Sequence, residues 1–102
     1  MGKMKTYFAG KLFDINYRMA IHEGDANRRL ASEAIKILLL PLDEVPSRYR
    51  KQFDKLRRLI EETIKDLPAP GLTPTRLRGI YNSTAAKYIK LLLDIQHAMS
   101  DI

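Results

Sequence analysis

The sequence predicts an all-α protein, a small up-down bundle of about four helices that forms a single domain over residues 1–102. Apolar residues recur at intervals of three and four along most of the chain, which places them on one face of each helix. Prolines separate several of these periodic stretches, as expected at helix ends. A chain of 102 residues with 45% hydrophobic residues is long enough to bury one core.

The first helix is predicted over residues 4–21. Gly10 disfavours its first turns, so Lys11 is an alternative start. Gly24 allows the chain to leave this helix, and Asp25 is a suitable N-cap for the next one. One face carries four apolar residues at helical spacing: Phe8, Leu12, Ile15 and Met19.

The second helix is predicted over residues 26–39. Residues 37–40 are apolar on every side, which predicts a deeply buried helix end. Pro41 stops the helix. Its apolar stripe consists of Leu30, Ala31, Ala34, Ile35 and Leu38.

The third helix is predicted over residues 46–67. Pro46 suits a first helical position, because its missing N–H would have no partner within the helix. Pro68 and Pro70 end the helix. A narrow apolar arc runs along it, formed by Tyr49, Phe53, Leu56, Ile60, Ile64 and Leu67.

The last helix is predicted to be long. Residues 67–73 form a rigid linker, after which Thr73 caps a helix whose first residue is Pro74. Gly79 and the poor helix formers around Asn82 mark the position for a kink. A continuous heptad seam follows the linker: Leu77, Tyr81, Thr84, Tyr88, Leu91, Ile95, Ala98 and Ile102.

Residues 74–100 also admit a second interpretation, a helix-turn-helix. Residues 76–81 would form its first helix, Asn82 the turn, and Thr84 would start the recognition helix. The side chains that would then face DNA offer methyl groups but few hydrogen bonds to bases. The uninterrupted heptad accounts for more of the residues in this region.

The composition favours an anionic partner. Eighteen Lys and Arg against twelve Asp and Glu give a net charge of +6, which promotes association with polyanions and acidic proteins. The absence of cysteine excludes disulfides, thiolate metal sites and cysteine nucleophiles. No stretch is apolar enough to span a membrane, and the first residues lack the apolar region of a signal peptide. A cytoplasmic protein without membrane association is therefore expected.

The third helix carries a row of cations opposite its apolar arc. We call this row the basic ridge, and it consists of Arg48, Lys51, Lys55 and Arg58. Such a row can lie along phosphates, with each contact releasing a counterion. The alternative is a solvated helix face that serves solubility.

A second cationic group is expected where the second and fourth helices start, at one end of an antiparallel bundle. Its members, which would converge to grip phosphate or carboxylate, are Arg28, Arg29, Arg76 and Arg78. The alternative is that they pair with acids at the end of the third helix, namely Glu61, Glu62 and Asp66.

Neither a metal site nor a catalytic site is expected. His22, Glu23 and Asp25 are close in sequence, but three ligands in one turn need a fourth from elsewhere. His97, the other histidine, is expected far from His22 in the bundle. The sequence contains no catalytic motif and no glycine-rich phosphate loop, so no enzyme activity and no cofactor are expected.

These features predict a non-enzymatic binding or adaptor protein whose basic helical faces engage nucleic acid or an acidic protein. The alternative is a protein–protein interaction module, including a homo-oligomer. Its exposed apolar stripe would then lie along the last helix, near Tyr81, Tyr88 and Met99.

Overall fold

This computed structural model describes residues 3–100 of the chain, with side chains over residues 7–99. The described chain folds into five α-helices. A short 3-10 turn covers Leu42–Glu44. Within this range there is no strand, which confirms the prediction of a small all-α bundle. The helices are α1 (Lys3–Ile21), α2 (Ala26–Ser32), α3 (Ala34–Leu38), α4 (Ser47–Lys65) and α5 (Asn82–Ser100).

The sequence predicts α1 and α4 closely, in both extent and buried face. In α4 the centre of the predicted arc is fully buried through Phe53, Leu56 and Ile60. Gly10 does not delay the start of α1, because the neighbouring turns are held by packing of the apolar face. The four residues of that face are all buried: Phe8, Leu12, Ile15 and Met19.

The helix predicted over residues 26–39 is divided at Glu33 into α2 and α3. Glu33 has φ −108° and ψ 10°, outside helical geometry. Its carboxylate is buried and pairs with the guanidinium of Arg18, at 2.9 Å between Oε1 and Nη2. After the break Leu40 is buried, whereas Leu39 is 77% exposed. The prediction of an end buried on every side is therefore wrong at Leu39.

The last helix starts at Asn82 rather than at Pro74, so both the long helix and the helix-turn-helix are wrong. Residues 76–81, the proposed first helix of that motif, are not helical. Gly79 has a φ of 81°, a left-handed conformation that ends any helix approaching it. Leu77 is nevertheless buried, so its apolar character reflects core packing outside a helix.

Asn27, buried in the first turn of α2, holds the segment before α5 in place. Its Nδ2 donates to the carbonyls of Leu77 (3.0 Å) and Ile80 (3.4 Å), and its Oδ1 accepts from the N–H of Leu77 (2.6 Å). The backbone N–H of Asn27 donates to Oδ1 of Asn82 at 3.0 Å, so the first residue of α5 caps α2. The backbone groups of Leu77 are thus occupied by Asn27 and are not available to a helix.

The buried side of α5 differs from the predicted heptad seam. Tyr81 is 84% exposed, and Thr84 and Tyr88 are half-buried. Because α5 contacts α1, α2 and α4 rather than one facing helix, a wider arc is buried than a heptad implies. The last predicted seam residue, Ile102, lies outside the described residues. The core residues of α5 are Ala85, Leu91, Leu92, Ile95 and Met99.

Polar contacts show that α5 runs antiparallel to its long neighbours. Thr63, at the end of α4, accepts at Oγ1 from the N–H of Arg78, just before α5 begins. The buried Asn16 of α1 donates from Nδ2 to the carbonyl of Leu92 (3.2 Å) and to Oε1 of Gln96 (2.6 Å). Asn16 thus contacts the second half of α5, whereas Asn27, a few residues after the end of α1, contacts the first residue of α5. The chain that runs forward along α1 therefore runs backward along α5.

We expect Asn27→Ala to lower the free energy of unfolding by about 2–4 kcal/mol, because it leaves the buried N–H and C=O of Leu77 without partners. Gln52→Ala is the matched control, since this exposed amide makes no hydrogen bond among the described residues. The control is expected to change stability by less than about 0.5 kcal/mol. Urea unfolding followed by circular dichroism measures both, and equal stability of the two variants would contradict the role of Asn27.

Candidate nucleic-acid interface

The four cations of the basic ridge all lie exposed on α4. Arg48 places its guanidinium carbon 4.9 Å from the centre of the Tyr49 ring. Arg58 pairs with Asp54 one turn earlier, at 3.1 Å. Lys51 and Lys55 have no carboxylate partner in the part of the chain that is described, so their charges remain uncompensated.

A groove between α4 and α5 brings a further cation to Lys55. We call it the α4–α5 groove; its lining residues are Gln52, Lys55, Thr84, Lys87, Tyr88 and Leu91. Lys87 also lacks an ion-pair partner among residues 7–99. The two lysines stand on opposite walls, accompanied by an amide, a hydroxyl and a phenol.

None of the residues that line this groove is acidic. Three of the four described carboxylates on α4 and α5 are engaged by cations on their own helices: Asp54 pairs with Arg58 (3.1 Å), Glu62 with Lys65 (3.4 Å) and Asp94 with Lys90 (3.0 Å). An anion in the groove would therefore meet uncompensated ammonium groups without a competing carboxylate.

The arginines before α5 are held by acids. Arg76 pairs with Asp25 at 3.2 Å, and Arg78 pairs with Asp66. Asp66 is the one member of the predicted acidic group that takes an arginine from this cluster; Glu61 makes no such pair in the described chain. Both arginines thus tie the segment before α5 to neighbouring elements.

The two arginines of α2 point to different surroundings. Arg29 donates from Nε to the carbonyl of Gly24 at 2.7 Å and lines a depression beside α5. Arg28 is exposed and lines another depression, together with Thr75. The four arginines therefore do not form one open cluster.

Asp25 is the N-cap of α2, as the sequence predicts. Its Oδ1 accepts from the N–H of Arg28 at 2.9 Å; this bond, and then the contact with Arg76, hold the pKa of Asp25 below its usual value. His22 Nδ1 accepts from the N–H of Gly24 at 2.9 Å. Over the described range, no group of three His, Cys, Asp or Glu is placed to hold a metal ion.

An exposed aromatic stripe on α1 was not anticipated. Phe13, Tyr17 and Ile21 follow each other at intervals of four and are 54%, 57% and 63% exposed. The rings of Phe13 and Tyr17 are stacked, with centroids 6.4 Å apart. The predicted location along the last helix is wrong, since Tyr88 is half-buried and Met99 is buried.

The sequence contains signals for both features that were missed. Phe13, Tyr17 and Ile21 form a second apolar row on a helix whose other face already supplies the core. Thr84, Lys87 and Leu91 have helical spacing, but only the register of α5 against α4 shows that they face Lys55. The pairing of helices, rather than the pattern of either one, defines the groove.

Comparisons with protein-family models, curated proteins and solved structures find no match for this chain. The described residues contain no helix with the length and apolarity needed to cross a bilayer. The candidate interface therefore rests on its own geometry and charge.

The lowered pKa of Asp25 predicts that the stability of the fold decreases in acid. Because its folded-state pKa is lowered, its stabilising contribution is present above the unfolded value of about 3.9 and is lost as pH falls through the folded pKa. We expect Asp25→Asn to be less stable than the wild type at neutral pH and to lose less stability between about pH 5 and pH 2. Urea unfolding across this range measures the difference.

Asp43→Asn is the matched control for Asp25→Asn, since Asp43 is exposed and its carboxylate has no partner among the described residues. It should keep the acid profile of the wild type. An unchanged profile for Asp25→Asn would contradict the assigned role of Asp25.

Proposed function

We propose that the protein binds nucleic acid through the α4–α5 groove and the adjoining basic ridge, as a binding or adaptor protein without catalysis. The observation that carries the proposal is the pair of uncompensated lysines, Lys55 and Lys87, that line a groove without an acidic residue; Lys51 adds a third uncompensated charge on the adjoining basic ridge. Phosphates that replace the counterions of these lysines would release those counterions, which drives association at low salt.

The groove assigns a role to each of its polar groups. Lys55 and Lys87 would contact phosphate oxygens from opposite walls, and Lys51 extends the row by one turn of α4, about 6 Å along the axis. Gln52 and Thr84 would donate hydrogen bonds to the sugar–phosphate backbone. Lysine acts as a point charge rather than as a fork, so these contacts position a backbone without selecting a base sequence.

Nucleic acid fits this surface better than an acidic protein does. Stable protein interfaces concentrate aromatic and apolar anchors at a desolvated centre. In the α4–α5 groove Tyr88 is half-buried and Leu91 is buried, so neither projects as an anchor. Separated cations without such an anchor match a phosphate backbone, which is charged along its whole length.

Fluorescence anisotropy with a labelled 20-nucleotide strand tests the proposal over a series of salt concentrations. We expect Lys55→Glu combined with Lys87→Glu to raise the Kd at least about tenfold and to reduce the slope of log K against log salt by about 1.4–2. Lys11→Glu combined with Lys36→Glu is the control of equal net charge, placed on α1 and α3. It should bind much more tightly than the groove variant.

Equal binding by the two double variants would show that only net charge matters and would contradict the groove assignment. A further arm uses poly-glutamate of matched length in place of the oligonucleotide. Equal affinity for poly-glutamate would favour an acidic protein as the partner instead of nucleic acid.

A second candidate function, self-association through α1, is favoured by the exposed stripe of Phe13, Tyr17 and Ile21. The stripe contains no charge in a chain with 29% charged residues, so two copies can approach along it without facing like charges within it. A twofold contact would place the stacked rings of one copy against those of the other.

Light scattering over a range of protein concentrations tests self-association. We expect the wild type to show a concentration-dependent dimer, and Phe13→Ser combined with Tyr17→Ser to raise the dimer Kd at least about tenfold. Tyr81→Ser removes a ring that is even more exposed but lies outside the stripe, so it should leave the dimer unchanged. A strict monomer at every concentration would contradict this function.

A further inference from the structure

A second groove lies between α1 and the end of α3. We call it the α1–α3 groove, and its volume is about 250 Å³. Ile15 and Leu40, which are both buried, line it together with Pro41. Most of its lining surface is apolar, as in sites that take small organic ligands.

Leu39 is the most unusual residue of this groove. It is 77% exposed, although it follows directly on a short helix whose neighbouring residues enter the core. The break at Glu33 sets the direction of α3, which leaves Leu39 on the wall of the groove instead of in the core. A ligand with an apolar body would cover this side chain.

Two ammonium groups stand at the rim of the same groove. Lys11 projects from α1 and lies 5.3 Å from the centre of the Tyr7 ring. Lys36 projects from α3, is exposed, and has no hydrogen bond or ion pair among residues 7–99. Neither lysine is neutralised by a carboxylate within the described chain.

Arg18 and Asp14 carry the remaining charges of the groove lining. Asp14 is the acidic lining residue, and Arg18 lies beside it. The hydrogen bond that Arg18 donates to Glu33, together with the charges of Glu33 and Asp14, raises the pKa of Arg18. Arg18 is thus already paired with Glu33, and the two unpaired lysines, Lys11 and Lys36, outnumber the single carboxylate of Asp14 in the lining.

We propose that the α1–α3 groove binds a small amphiphilic anion, a carboxylate attached to a short apolar body. The apolar body lies against Ile15, Leu39 and Leu40, and the carboxylate lies between Lys11 and Lys36. Ligand pockets for drug-sized molecules usually measure roughly 300–1,000 Å³, so this smaller groove suits a short chain or a single ring. This site is separate from the α4–α5 groove and does not depend on nucleic-acid binding.

Two-dimensional ¹H–¹⁵N NMR titration with sodium octanoate, kept below its micelle concentration, tests the proposal on the intact chain. We expect chemical-shift changes centred on Lys11, Lys36 and Leu39. Octanol, which keeps the chain but lacks the charge, should bind at least about fivefold more weakly, and octylammonium more weakly still. Equal shifts with all three ligands would overturn the proposal.

Two variants test the contributions of the lysines and of the apolar wall to octanoate binding separately. Lys11→Glu combined with Lys36→Glu should raise the octanoate Kd at least about tenfold. Leu39→Gln changes a side chain that is mostly exposed, so folding should survive; we expect it to raise the Kd about threefold or more. Unchanged affinity in either variant would overturn the assignment of that wall.

Lys55→Glu combined with Lys87→Glu is the control of equal net charge and should bind octanoate as the wild type does. The same two double variants therefore serve both grooves with opposite expectations. If octanoate binding is lost only when Lys55 and Lys87 are replaced, the present proposal is overturned. If oligonucleotide binding is lost only when Lys11 and Lys36 are replaced, the proposed function is overturned instead.

Discussion

The side-chain amide of Asn27 is the contact on which the arrangement of this bundle depends. It pairs with both backbone groups of Leu77, while its own N–H is capped by Asn82. A buried side-chain amide that hydrogen-bonds both groups of a buried peptide fixes the position of the two segments it joins, because any shift would leave buried polar atoms without partners. Asn27 thereby determines where α5 begins and how it is aligned against α2. The position of Lys87 opposite Lys55 follows from that alignment.

Among the described residues, arginine makes all the ion pairs that join separate segments of the chain. Arg18, Arg76 and Arg78 join elements that are distant in sequence, each through a carboxylate on another segment. The paired lysines instead use acids three or four residues away on their own helix, contacts that contribute little to stability. The carboxylates that join separate segments, Asp25, Glu33 and Asp66, lie at or beside helix ends. The facing walls of α4 and α5 carry the uncompensated lysines Lys55 and Lys87. The uncompensated positive charge of these walls thus follows from where the fold requires its acids.

The sequence predicts those parts of the fold that are determined locally. α1 and α4 follow from one regular apolar face and from end signals in the adjacent residues, and both match within about two residues. The break at Glu33 and the start of α5 depend on partners elsewhere, Arg18 and Asn27, which no local pattern reveals. Leu77 continues a heptad in sequence yet reaches the core from a non-helical segment. The helical spacing of the basic ridge can be read from the sequence. The residues of α5 that face it, such as Lys87, can be identified only from the packing of α4 against α5.

The central position of α5 has a consequence for how the chain acquires its structure. α5 contacts α1, α2 and α4, and it follows all three of them in the sequence. A nascent chain that has emerged from the ribosome only as far as Tyr81 would leave the apolar sides of three helices without their common neighbour. Contacts between α1 and α5 also close loops of more than seventy residues, as the bond from Asn16 to Leu92 illustrates. Cooperative folding of these helices therefore requires α5, and a chain that stopped before it would expose apolar surface.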